Sequence, residues 1–248
     1  MFLSPLEQFS IIKLINLKIF FFPDISFTNS SLIMFIVLFI FFSIFKLSYS
    51  KTIIPNKWQN FLEIYYIQIH NLVKDNIGNL GFIFFPFIFG LFTYIVLLNL
   101  LGMIPYNLTV TSHIIVTFSM SLSIWLAVTL LSLKLHKLNF FSTFMPSGAP
   151  IILAPLLVLI ELLSYCAKAI SLGVRLAANM TAGHILLAIM SGFAWTMLHS
   201  LNILTIASIG PLLVLLFIII LELAVAIIQA FVFTLLTTIF LNDAIHLH

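Results

Sequence analysis

The sequence has few charged residues and a single cysteine. Asp, Glu, Lys and Arg make up 7% of its 248 residues, whereas roughly 25% is usual for a soluble domain. Such a chain cannot cover a water-facing surface, so a soluble globular fold is excluded. Its ten cations are spread thinly without a basic cluster, which argues against nucleic-acid binding. One cysteine, Cys166, rules out an internal disulfide framework, and no Gly-rich loop ending in Lys-Ser/Thr indicates a nucleotide site.

Apolar residues dominate what is there. They account for 62% of the chain, and the mean hydropathy is +1.26, which is typical of an integral membrane protein. No charge occurs from Asn76 to Leu133, a stretch long enough for two membrane helices of about 20 residues each. No proline occurs between Pro155 and Pro211, so two long helices are expected around a turn near residues 200–202. At about 1.5 Å per residue they exceed a ~30 Å hydrocarbon core, and they must therefore tilt.

The predicted fold class is an all-α integral membrane protein with about five membrane helices and one amphipathic surface helix. The last two helices form a long, steeply tilted hairpin. The predicted segments are an N-terminal segment (1–30), a first transmembrane helix (31–48), an amphipathic membrane-surface helix (57–76), a transmembrane hairpin (80–133), the long tilted hairpin (147–242) and a tail (243–248).

The surface helix is predicted from its periodicity. Its polar residues between Trp58 and Lys74 fall within about 120° of helical arc, opposite Phe, Leu, Ile and Tyr, which is typical of a helix lying in the membrane interface. By the positive-inside rule, this helix and the loop at Lys134 and Lys137 face the cytoplasm-equivalent side.

Polar residues recur on single faces of the two long helices. Seven-residue steps drift by only about 20°, so Glu161, Lys168 and Arg175 share a face, with Asn179 one turn beyond. A second stripe comprises Glu222, Gln229 and Asp243. Charges inside a membrane helix are functional candidates by default because insertion costs about 2.5–3.5 kcal/mol for Arg, Lys or Asp.

Each of these residues also has a structural interpretation. Glu161 and Lys168 suit an interfacial ion pair, and Glu222 with His184 suits an inert hydrogen-bonded pair. The amides of Asn99, Asn179 and Gln229 suit helix–helix contacts, and Asp243 suits a solvated end. Together, however, the buried carboxylate, imidazole and amide groups favour a proton path. Because the pKa of Arg lies far above physiological pH, Arg stays charged and cannot relay protons, so Arg175 would act as a fixed positive gate with a carboxylate partner on another chain.

Four segments resemble subunit a of the rotary ATP synthase, and the match covers most of the chain. The segments are Ser171-Leu-Gly-Val-Arg175-Leu-Ala-Ala-Asn179-Met-Thr-Ala-Gly183-His184, Ile228-Gln229-Ala-Phe-Val-Phe-Thr234 with Asp243 downstream, Asn99-Leu-Leu-Gly-Met-Ile-Pro105-Tyr106, and Ser4-Pro5-Leu6-Glu7-Gln8-Phe9. Bacterial members tend to exchange the imidazole and the carboxylate at positions 184 and 222, so the order here is similar to that of mitochondrial members.

The resemblance implies a stator subunit that forms two proton half-channels and couples proton flow to c-ring rotation and ATP synthesis, without a catalytic site, cofactor or metal of its own. Arg175 would face the c-ring carboxylate. The half-channels would be lined by Asn179, His184, Glu222 and Gln229, with Glu161, Asp243 and Asn99 as contributors. The implied partners are the c-ring, other membrane-sector and peripheral-stalk subunits and the lipid bilayer, and the implied location is the mitochondrial inner membrane.

Two other classes of membrane protein remain as alternatives. A respiratory-complex subunit holding haem would need paired axial histidines, and the histidines at 70, 113, 136, 184 and 199 do not form two such pairs. A proton-coupled secondary transporter would be expected to show internal repeats and paired broken helices, and neither pattern is visible.

Overall fold

Six helices build the described part of the chain. The structure is a computed structural model that describes residues 7–19, 22–48, 56–104, 107–144, 153–199 and 207–246. The helices are α1 (Asn29–Ser48), α2 (Lys57–Ile77), α3 (Phe85–Gly102), α4 (Ile114–His136), α5 (Ala154–Leu198) and α6 (Ile209–Ile245). Short 3-10 turns occupy Glu7–Phe9, Gly78–Ile83, Val110–Ser112 and Lys137–Phe144.

Five helices of the described ranges, all except α2, are long and apolar enough to cross a membrane. The predicted all-α membrane fold is therefore confirmed. The turn expected near residues 200–202 lies outside the described residues.

An antiparallel hairpin precedes α1, and the sequence analysis did not predict it. Strand β1 (Lys13–Ile19) pairs with β2 (Phe22–Thr28), with Lys13 opposite Thr28 and Leu17 opposite Ile25. The polar residues of β1, Lys13, Asn16 and Lys18, do not alternate regularly with its Leu and Ile residues, so no period-2 pattern marks the strand in the sequence.

Proline and backbone geometry set the helix boundaries. Pro86, Pro155 and Pro211 stand in the first turns of α3, α5 and α6, where a missing amide hydrogen costs no helical bond. Gly78 ends α2 with a φ of 75° and donates its N–H to the Lys74 carbonyl, a conformation that favours glycine. α6 continues to Ile245 because no helix breaker follows Leu241, so Asp243 is part of the helix rather than of a tail.

The chain forms two compact units. Unit 1 comprises Met1–Tyr49, Thr93–His113 and Leu176–Ala230, and unit 2 comprises Ser50–Phe92, Ile114–Arg175 and Phe231–His248. The core of unit 1 contains side chains that are at most 1% exposed, among them Ile95, Leu98, Leu176, Met180 and Ala226. The core of unit 2 contains Val73, Ile88, Leu172 and Phe233, each similarly buried.

Helix α2 has two apolar faces. One face packs against the start of α3, where the rings of Tyr66 and Phe85 lie 4.8 Å apart and Ile69 and Val73 are buried. Trp58 and Phe61 are more than half exposed on the other. The amphipathic pattern of this helix therefore serves contacts within the protein as well as an outward apolar face.

Candidate functional site

Glu222 and His184 form a buried pair in unit 1. Glu222 is carried by α6 and His184 by α5, and the His184 Nε2 lies 3.7 Å from the Glu222 Oε1. Their side chains are 5% and 13% exposed, respectively. No described residue forms a hydrogen bond with this Nε2 or with either Glu222 oxygen. Leaving buried polar atoms unpaired is costly, so the pair is not explained by hydrogen bonding among the described residues. Imidazole and carboxyl groups can both accept and release protons.

Gly183 makes the position of the Glu222 carboxylate possible. A β-carbon added at residue 183 would lie 2.6 Å from Glu222 Oε1 and 3.0 Å from its Cδ. Real β-carbons essentially never approach another atom to less than 3.0 Å. The carboxylate is therefore held against the α5 backbone next to His184, and the small residue at 183, which the sequence indicates as a place of close helix approach, is what permits this contact.

A second polar contact joins α5 to α6. Asn179 donates a hydrogen bond from Nδ2 to Oε1 of Gln229 at 3.0 Å, although the two residues are 50 apart in sequence. Gln229 is 5% exposed, its Nε2 has no partner among the described residues, and Asn179 is exposed. Two residues of the predicted stripe on α6 therefore each meet a predicted polar residue of α5. Glu222 lies next to His184, and Gln229 bonds to Asn179.

Asn99 links α3 to the same stretch of α6. Its Nδ2 donates to the carbonyl oxygen of Ala226 at 3.0 Å, and Ala226 lies between Glu222 and Gln229 in sequence. Asn99 is 1% exposed, and its Oδ1 has no partner among the described residues. The structure thus brings together five of the predicted site residues in unit 1: Asn99, Asn179, His184, Glu222 and Gln229.

Arg175 belongs to unit 2 and is exposed. Its Nη2 donates a long hydrogen bond, 3.4 Å, to the Ser171 hydroxyl one turn earlier on α5. Within the described ranges, Arg175 has no ion pair with an acid at 4.0 Å or less. Its guanidinium is therefore exposed on an apolar helix, without a neutralising acid among the described residues.

Glu161, Lys168 and Asp243 line one cavity in unit 2. It has a volume of about 290 Å³, and Tyr165 and Ser132 also line it. Glu161 and Lys168 are exposed and Asp243 is half-buried. Both Glu161 and Lys168 are described, and they form no ion pair with each other, so the interfacial ion pair considered above is absent.

His136 contacts Ala244, one of the residues that line this cavity. Its Nε2 lies 3.1 Å from the carbonyl oxygen of Ala244, at the C-terminal end of α6. Tyr165 contacts the rings of Trp125 and Phe144 on neighbouring elements. The cavity therefore combines two carboxylates, one ammonium group and a phenol whose ring packs against Trp125 and Phe144.

The described residues contain no cluster of three or more His, Cys, Asp and Glu side chains that could hold a metal ion. Sequence reasoning also missed Phe9, whose ring lies against that of His184 at a centroid distance of 6.4 Å. No local pattern predicts this contact, because the two residues are far apart in the chain. The N-terminal motif quoted above, which ends at Phe9, is the only signal in that region.

Comparisons with known proteins identify the family of the chain. The family model described as ATP synthase A chain matches residues 29–242. The chain is 49% identical to an ATP synthase subunit a of Brassica napus, with 99% of this chain and 97% of the relative covered. It is 47% identical to that of Marchantia polymorpha, with 99% of each covered, and 49% identical to that of Metridium senile, with 98% and 97% covered. The chain belongs to the ATP synthase subunit a family.

Proposed function

We propose that this chain is the stator subunit of an ATP synthase membrane sector, in which it forms two proton half-channels beside a rotating c-ring. The observation that carries the proposal is the buried His184–Glu222 pair, 3.7 Å apart and without hydrogen-bond partners among the described residues. Membership of the family and five candidate membrane spans support the same function.

The pair is proposed to pass protons in one half-channel. Imidazole and carboxyl groups both exchange protons in the physiological range when they are buried. Asn179, Gln229 and Asn99 supply amide groups near the same stretch of α6, and they are proposed to orient the path without carrying protons themselves.

Arg175 is proposed to face the carboxylate of the c-ring. Its charge is permanent, and no acid of the described residues neutralises it within 4.0 Å. At about 4 Å and an effective dielectric near 20, its attraction for a carboxylate is of order 4 kcal/mol before desolvation. This attraction would keep an arriving carboxylate ionised until a proton is delivered, and it would block leakage between the half-channels.

The cavity of Glu161, Lys168 and Asp243 is proposed to serve the other half-channel. Phe140 and Phe144, which also line it, follow Lys134 and Lys137, and the positive-inside rule puts those lysines on the cytoplasm-equivalent side. Each proton that crosses gains about 2.3 kcal/mol per 100 mV of membrane potential, which would drive rotation.

The finer assignments extend this proposal. We place the chain in the mitochondrial inner membrane as a non-catalytic subunit, with α2 in the membrane interface and α5 and α6 tilted beside the c-ring. The 45 residues of α5 and the 37 of α6 exceed the length needed to cross a bilayer upright. Peripheral-stalk and other membrane-sector subunits are the remaining proposed partners.

The experiment that tests the function is ATP-driven proton pumping into inverted membrane vesicles that carry the assembled complex. Arg175→Ala is expected to abolish pumping, because no fixed charge would then meet the ring carboxylate. Lys46→Ala, which removes one cation from the exposed end of α1, is the matched control and is expected to pump at the wild-type rate. Wild-type pumping by Arg175→Ala would overturn the proposal.

A further inference from the structure

The first described turn of the chain directs an aromatic ring at the His184–Glu222 pair. The rings of Phe9 and His184 meet edge to face at an interplanar angle of 83°, with centroids 6.4 Å apart. Phe9 is half-buried, whereas its neighbours Gln8 and Ser10 are exposed. Edge-to-face pairs within about 7 Å are favourable contacts, so this turn packs through Phe9.

Hydrogen bonds fix the chain immediately after Phe9. The side chain of Asn29, at the start of α1, accepts a bond from the Ile12 N–H at 3.2 Å and donates one to the Ser10 carbonyl at 3.3 Å. The Asn29 N–H also donates to the Ile12 carbonyl at 3.2 Å. All of these residues belong to unit 1, as does His184. The position of Phe9 is therefore set by the fold of this unit as well as by its own ring contact.

A phenyl ring has a specific effect beside an imidazole that exchanges protons. It covers the imidazole without offering a hydrogen-bond donor or acceptor, so it excludes water and does not compete for the proton. It also restricts the orientation of the His184 ring, whose Nε2 points to Glu222 Oε1. The two effects together would direct proton exchange toward the carboxylate.

We propose that Phe9 is a positioning residue of the proton path, which holds the His184 imidazole toward Glu222 and shields it from bulk water. The proposal deepens the function proposed above and rests on it, because it assumes that the pair carries protons. In this role the N-terminal turn would contribute to proton transfer in the membrane sector.

Chemical modification of His184 tests the shielding directly. The assembled complex would be treated with diethylpyrocarbonate, and modification of each histidine would be followed by mass spectrometry, with the exposed His246 as internal reference. Phe9→Ala is expected to raise the rate at His184 by about 2- to 10-fold, the range that corresponds to loss of one aromatic pair. Phe9→Tyr keeps the ring, so His184 in this variant is expected to be modified at the wild-type rate. Gln8→Ala, one residue away on the exposed side, is the matched control and is expected to leave the rate unchanged.

A second variant tests the same shielding of His184 by changing a residue that holds the N-terminal turn in place. Asn29→Ala removes the side-chain bonds to Ser10 and Ile12 and is expected to raise the modification rate at His184 in the same direction, so it replaces Phe9→Ala if that variant does not assemble. Equal His184 rates in Phe9→Ala, Asn29→Ala and Gln8→Ala would overturn the proposal. Such a result together with pumping lost in Arg175→Ala would remove only the role of Phe9, whereas wild-type pumping in Arg175→Ala would remove the proposed function itself.

Discussion

The α-carbon of Gly183 leaves no room for a β-carbon beside Glu222, because such an atom would lie 2.6 Å from the carboxylate oxygen Oε1. A tight contact between α5 and α6 in unit 1 therefore lies at Glu222, whose carboxylate is buried. The packing of Gly183 therefore bears directly on the proton path proposed for Glu222.

Gly183→Ala is expected to displace the Glu222 carboxylate from His184 and to lower coupled pumping by about 10-fold or more. Overpacking of a tight contact typically costs about 1–3 kcal/mol, so the stability of the complex should fall as well. The matched control is Gly192→Ala on the same helix, where an added β-carbon meets nothing within 4 Å. Pumping rates normalised to assembled complex check this prediction, and equal rates for the two variants would contradict it.

The His184–Glu222 pair is expected to behave as a unit. His184→Ala and Glu222→Gln should each reduce pumping strongly, and combining them should cost much less than the sum of the two effects, because residues in contact couple. Exchanging the residues, with His184→Glu and Glu222→His together, should retain more pumping than either single variant. Additive losses in this double-mutant cycle would show that the residues act separately.

The Asn179–Gln229 contact should respond asymmetrically to mutation. Asn179→Leu leaves Gln229, which is 5% exposed, without its hydrogen-bond partner, and an unpaired buried amide costs about 1–3 kcal/mol. Gln229→Leu removes the buried amide itself and leaves only the exposed Asn179 unpaired, so its cost should be smaller. Thermal unfolding of the purified complex measures the difference. A larger loss for Gln229→Leu would argue against this assignment of burial.

His113 lies outside the membrane-spanning helices and is expected to make the stability of the fold depend on pH. It follows the 3-10 turn before α4, and burial lowers its pKa below the ordinary value of 6.5. The unfolded chain therefore binds a proton at a higher pH than the folded one, and the contribution of this residue to stability falls as pH drops through 6.5 and below. His113→Gln should flatten the loss of thermal stability between about pH 8 and pH 5.5. An unchanged slope would show that His113 does not contribute.

Sequence periodicity predicted the long helices and the polar stripe of α6, because both depend on local spacing. Proline-free apolar stretches indicated α5 and α6, and a step of seven residues places Glu222 and Gln229 on one face. Contacts between distant segments have no local signal. Phe9 against His184, Gly183 under Glu222, and Asp243 in the cavity with Glu161 all depend on how separate elements pack.

The hairpin of β1 and β2 was missed for a related reason. Its apolar residues read as a short hydrophobic run interrupted by lysines, and only the pairing of the two strands in the folded chain identifies them.

The proposed function requires that the Arg175 face of α5 lie against a ring of small subunits that carry a membrane carboxylate. Ser171 is exposed one turn before Arg175, and its hydroxyl oxygen accepts a hydrogen bond from Arg175 Nη2. A benzophenone maleimide on Ser171→Cys, in a Cys166→Ser background, would be photoactivated in the native membrane and its adducts sequenced by mass spectrometry. Phe39→Cys, on an exposed face of α1, is the control. We expect adducts from position 171 to one small acid-bearing subunit and no adducts to that subunit from position 39. Adducts from position 171 to lipid alone would contradict it.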